Sequence, residues 1–228
     1  MTPGKQYRGV PYNWGGFDST DKFVKKVKKG VIAGNYKKRC GSNLCMREDF
    51  AGLDCSGLVS RSWGISRYST KTFPGISIKI PRELLLPGDI LNSKNKHVML
   101  FDKFDDDNQM WVYEAAAWVR IKNAPPAGVV YRSVDAGDDY VPRRYYKFIE
   151  KGERIKTDKT IVALRQLNGR GKLYIPAGTT GEILQGPALR SKVRKSRTPS
   201  DVWVYVKFGN GKEGWATIRH LTLIGVKA

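Results

Sequence analysis

The sequence predicts an α+β protein in two parts: a mixed helix-and-strand domain over residues 1–150 and a small antiparallel β-barrel over residues 160–228. Three observations carry this. Two runs with helical apolar spacing lie in the first 65 residues. Two β-rich runs flank a polar turn near residue 106. From Thr160 onward, short β-like runs alternate with Gly, Asn and Lys turns.

In chain order, YRGVPYNWGGFDST reads as an ordered loop rich in Gly, Pro and aromatics. Asp18-Ser19-Thr20 can cap a helix running to about Lys29, where Gly30 stops it. Phe23, Val24 and Val27 give it an apolar stripe, and its lysines form a solvated face. Asp54 caps a second helix to Ile65, with Leu58, Val59, Ser62 and Trp63 on one side. LLLPGDIL is a turn at Pro87-Gly88-Asp89 entering a strand. HVMLFDKF and QMWVYEAA enclose Asp105-Asp106-Asp107-Asn108 as a β-hairpin. VVYRSV and RRYYKFI are further strands, and KGERIKTDKT is a polar linker. Five short runs then make the barrel: IVALRQL, KLYIPA, TGEILQG, VWVYVKF and GWATIRHLTLI.

Apolar residues at 40% and charged residues at 27% describe a globular chain, and no run approaches the roughly 20 apolar residues of a membrane span. The first ten residues carry no apolar export core, so the chain is either cytosolic or a form from which a leader was removed. The net charge of +20 points to an anionic partner such as a wall polymer, a lipid surface or nucleic acid, or to a solvated basic surface. Residues 151–228 hold 16 Lys+Arg against 5 Asp+Glu, a higher basic excess per residue than the first part. Arg190 to Arg197 has five basic residues in eight and reads as a loop. Trp203, Tyr205, Phe208 and Trp215 nearby alternate as strand residues do, and no nucleic-acid motif accompanies them, so no nucleic-acid partner is expected. Cys40 and Cys45 can bridge a short loop, leaving Cys55 as a reactive thiol; three reduced thiols are the other reading. With two histidines, His97 and His220, a zinc site lacks ligands, and no metal or cofactor is expected.

A thiol attacks as thiolate, so a catalytic cysteine needs a base and a favourable field. Cys55 lies at a helix start, where unpaired N–H groups favour an anion. Within residues 1–150 His97 is the only histidine, hence the only imidazole base available from that part. A hairpin turn centred on Asp105-Asp106 sets His97 directly across from Glu114, a carboxylate able to orient the ring.

Four segments in this order, PYNWGG (11–16), LDCSGLVSRSWG (53–64), LLPGDIL (85–91) and HVMLF (97–101), resemble the NlpC-type cell-wall cysteine peptidases. That resemblance implies a papain-like catalytic domain with N-terminal helices packed on an antiparallel sheet. The C-terminal part is similar to a bacterial SH3-like domain. The resemblance implies Cys55 as nucleophile, His97 as base and Glu114 as third residue. It implies Tyr12 facing the oxyanion or substrate, and Asp54 and Ser56 holding a substrate amine. The implied reaction is hydrolysis of peptidoglycan stem peptides at a D-γ-glutamyl-diamino acid bond, through a thioester, outside the cytoplasm. The His97–Glu114 spacing is longer than that family's, and residues 30–53 stand as an insertion. Two other functions fit the same residues: a thiol amidase or acyltransferase on a non-wall substrate, and a non-catalytic basic wall- or polyanion-binding protein.

Overall fold

The computed structural model describes residues 9–34, 50–117, 128–166, 171–190 and 201–225. Cys40, Cys45 and residues 191–197 of the basic run lie outside them, as does any pairing of those two thiols.

Two α-helices are present among the described residues, α1 (Thr20–Lys28) and α2 (Cys55–Ser62). Fifteen strands accompany them: β1 (Ile32–Ala33), β2 (Phe50–Ala51), β3 (Ser77–Lys79), β4 (Ile90–Ser93), β5 (His97–Phe104), β6 (Met110–Ala116), β7 (Gly128–Val134), β8 (Val141–Tyr145), β9 (Arg154–Thr157), β10 (Ile161–Leu164), β11 (Lys172–Ile175), β12 (Thr180–Arg190), β13 (Asp201–Phe208), β14 (Glu213–Thr217) and β15 (Leu221–Gly225).

The expected fold class is therefore corrected. The chain is strand-dominated, and neither the papain-like arrangement of helices on a sheet nor a separate SH3-like barrel describes it. Two physical causes stand out. Gly64, at φ +64°, turns the chain out of helix two residues after Ser62, so α2 stays at eight residues. The C-terminal strands do not close on themselves: β15 pairs with β3, whose residues precede the hairpin by about twenty positions.

The chain forms two compact units, and the division differs from the expected boundary between 150 and 160. The first comprises residues 1–70 and 90–140, the second 71–89 and 141–228. In the first, β4, β5, β6 and β7 form an antiparallel series, beside a short parallel pair of β1 and β2. Val98, Phe101, Met110, Val112 and Ala115 are buried there with Val59 of α2, which packs against β5 and β6. Phe101 and Val112, paired across β5 and β6, share one face of this sheet. In the second unit nine strands run in the order β11-β10-β14-β13-β12-β9-β15-β3-β8. Ile78, Ile155, Val204, Val206, Leu221 and Leu223 are among its fully buried side chains.

The cap expected for α1 holds, and two features of its faces differ from expectation. Ser19 caps it, its hydroxyl accepting from the Lys22 N–H at 3.2 Å. Its valines stay exposed, and Lys26, expected on a solvated face, turns inward instead. Its ammonium reaches Asp18 at 3.1 Å and the Phe50 carbonyl at 3.0 Å. No helix among the described residues is long and apolar enough to cross a membrane.

Candidate active site

The site is built around the tip of α2. Asp54 is its N-cap, with extended backbone. One carboxylate oxygen accepts from the Gly57 N–H at 2.6 Å and from the Ser56 hydroxyl at 2.9 Å. The other accepts from the Gly15 N–H at 3.1 Å and from Arg67, which also donates to the Gly15 carbonyl. Asp54 therefore locks the PYNWGG segment onto the helix start and presents Cys55 as the first helical residue. The approach is close: a Cβ at Gly57 would sit 2.2 Å from the Gly16 carbonyl oxygen, so only glycine fits.

That packing also places Tyr12. The segment runs beside residues 51–54, with Asn13 N–H donating to the Leu53 carbonyl at 2.8 Å and a bridge joining Tyr12 to Leu53. Tyr12 is buried, and burial together with the neighbouring Cys55 and Asp54 raises its hydroxyl well above the ordinary tyrosine value. It stays protonated, a donor rather than a charge.

Glu114 and His97 meet, by a register other than the expected one. Leu100 pairs with Tyr113 and Phe104 with Met110, with a bulge between Phe101 and Lys103. The cause is the turn. The Asp105 N–H donates to the Gln109 carbonyl, and the Asp105 side chain accepts from the Asp107 and Gln109 N–H groups and from the Trp111 indole. The loop thus closes at Asp105 and Gln109 rather than at Asp105-Asp106. This moves Glu114 level with Met99, two residues from His97 and on the same face. A shift of two preserves the face, where a shift of one would reverse it. The carboxylate spans the diagonal, and His97 Nε2 lies 2.6 Å from Glu114 Oε2.

With Nε2 at Glu114, Cys55 acts on the same ring as a neighbouring side-chain partner. Burial pushes the imidazole down, but the bonds to Cys55 and Glu114 outweigh it and raise its pKa to about 9. Burial likewise works against the Glu114 carboxylate, yet His97 and Arg132 hold it below the ordinary glutamate value. Arg132 donates to the second Glu114 oxygen from the opposite neighbouring strand. Glu114 is 2% exposed, while Cys55 and His97 remain partly accessible.

The structure thus brings Cys55, His97, Glu114, Tyr12, Asp54 and Ser56 to one place. Asp54 and Ser56 are bonded to each other and to the loop, and the Asp54 charge is paired with Arg67. This builds them into the support of Cys55, and the amine-holding role gains nothing from it.

Three residues were not found from sequence. Arg67 and Arg132 neutralise the two buried carboxylates, and Tyr140 stands edge-on to His97 at 6.5 Å between centroids. Burial, Glu114 and Cys55 raise the Tyr140 hydroxyl. Arg132 was accessible in principle: it is two residues from Val130, which pairs with Glu114. The residues between β6 and β7 are too many to fix that register from sequence. No signal marks Tyr140. Among the described residues no group of three or more His, Cys, Asp or Glu is placed to hold a metal.

Compared with protein-family models, with curated proteins and with solved structures, the chain matches none of them.

Proposed function

We propose that this protein is a cysteine hydrolase that cleaves amide bonds through a thioester, with Cys55 as nucleophile, His97 as acid–base group and Glu114 as the group that orients the ring. The single observation that carries the reading is His97 joined to Cys55 on one side and to a buried, doubly held Glu114 on the other. A structural histidine needs one such partner, whereas a proton shuttle needs both.

His97 holds the Cys55 proton on Nδ1 as imidazolium, and the thiolate sulfur attacks the carbonyl carbon as the carbonyl π pair moves onto oxygen. The Cys55 N–H, free at the first turn of α2, and the Tyr12 hydroxyl are the donors for the resulting oxyanion. The imidazolium gives its proton to the leaving amine, the C–N bond breaks and a thioester remains. Water, losing a proton to His97, attacks the same carbon; the C–S bond breaks and the acid is released. Glu114 stays ionised throughout and holds Nε2–H.

The substrate class rests on the sequence: PYNWGG, DCSGLV, PGDI and HV in that order resemble wall peptidases, so the proposed substrate is a peptidoglycan stem peptide, at a D-γ-glutamyl-diamino acid bond. Purified wall fragments digested with the full chain and read by mass spectrometry should show new amino ends at that bond. Cys55→Ala should cut turnover by at least about a thousandfold with unchanged circular dichroism. Equal cleavage by the folded variant would refute the reading. Turnover of simple acyl esters without wall cleavage would replace the substrate and keep the chemistry.

A further inference from the structure

The second unit carries a buried cation that nothing in the proposed hydrolase uses. Arg143 on β8 is 5% exposed. Among the described residues its guanidinium makes one hydrogen bond, Nη1 to the Ser77 carbonyl at 2.7 Å, and no ion pair. Its Nε–H and second Nη group have no protein partner, and neither is sealed from solvent. A largely buried charge without a counter-charge is costly, so the missing carboxylate calls for an explanation.

The neighbours supply more of the same sign. Pairing across four adjacent strands sets Lys156 opposite Thr222, Thr222 beside Lys79, and Lys79 opposite Arg143. Residues so paired share one face of the sheet. Arg219 reaches the same ground: a Cβ built on Gly75 would lie 2.9 Å from its Nη2, two residues before the carbonyl that holds Arg143. The one carboxylate acting on this group is Asp158, and it is already engaged by Lys79 at 2.7 Å and by the Thr222 hydroxyl. His220 feels the excess: burial, Lys159, Arg219 and Lys79 lower it against the pull of Asp158. A second buried arginine among the described residues, Arg144, pairs with Asp89 and Glu153. The unit therefore does provide carboxylates for an arginine whose task is structural, and it withholds one from Arg143.

We propose that this face of the second unit binds a phosphate group, its oxygens bonded by the unused donors of Arg143 and by Arg219 and Lys79. Arginine's planar fork suits oxyanions, and several cations on one face match phosphate's charge and number of acceptor oxygens better than a single carboxylate's. The group could arrive as free phosphate or within a phosphodiester polymer.

The test uses the full chain, with inorganic phosphate and poly(glycerol phosphate) as probes and acetate and chloride at matched ionic strength as controls. Calorimetric titration should give saturable binding of at least one phosphate probe, and that probe should raise the melting temperature where the controls do not. Arg143→Gln should abolish both responses. Arg219→Gln, at an exposed position, should weaken binding about tenfold with the fold intact, and decides the matter should Arg143→Gln fail to fold. Tighter binding of the polymer assigns the phosphodiester source, and binding of free phosphate alone assigns the small-ion source. Equal responses to chloride, or full phosphate binding retained by the folded variants, would overturn the proposal.

Discussion

Two buried carboxylate clusters, one in each unit, are made of similar parts and serve different ends. In the first unit Glu114 is held by His97 and Arg132. In the second, Asp89 is held by Arg144, which donates to both of its oxygens and also reaches Glu153. Burial dominates at Asp89 and Glu153 and raises both carboxyls, whereas at Glu114 the partners win and the carboxylate stays below its ordinary value. The difference lies in what comes next. Arg144 ends its cluster and is 2% exposed. His97 leads on to a thiol, and both it and Cys55 remain open to solvent. A charged network that stops at an arginine fastens strands, and one that passes through an imidazole to a sulfur can move a proton.

The largest blow to this contrast comes from His97→Ala. It should reduce turnover per folded molecule about a hundred- to ten-thousandfold, as measured by steady-state kinetics on the cleaved wall peptide. Arg144→Met should do the converse. Leaving Asp89 and Glu153 without their partner should cost about 3–5 kcal/mol in denaturant unfolding, with turnover per folded molecule unchanged. A large loss of turnover in that folded variant would erase the distinction between the clusters.

Glu114→Gln should act more gently and on the pH profile. His97 stands at about 9 against its ordinary value of 6.5. A raised group stabilises the fold fully below the ordinary value, and that contribution is lost as pH rises through about 9. The imidazolium also protonates the leaving amine, so activity should fall along the same alkaline limb. Glutamine removes one of the interactions that raise the ring, so the limb should move to lower pH and turnover should drop about tenfold. Tyr12→Phe, the smallest change, should lower kcat a fewfold to about tenfold with KM unchanged if its hydroxyl meets only the developing oxyanion.

What the sequence made legible was local. Asp54 as cap, Cys55 at the helix tip, the turn at Pro87-Gly88-Asp89 and the hairpin strands are all set by residues within a few positions of each other. The His97–Glu114 meeting was legible for its face but not its register, because Asp105 builds a longer turn and the strand bulges near Asp102. The fold class was not legible. Pairing of β3 with both β8 and β15 joins residues more than sixty positions apart, and no local propensity encodes it. The arginines were hidden for the same reason: Arg132 and Arg144 find their carboxylates across strands, and a lone arginine in a β-rich run looks like surface.

The central claim, that His97 activates Cys55, is tested most directly by alkylation with iodoacetamide. The rate is read at the Cys55 peptide by mass spectrometry, so that Cys40 and Cys45 do not contribute. At pH 7 Cys55 should react at least about ten times faster in the unaltered chain than in folded His97→Ala, with Glu114→Gln between them. Equal rates in all three would mean that the sulfur and the imidazole are neighbours without a shared proton, and the hydrolase reading would fall.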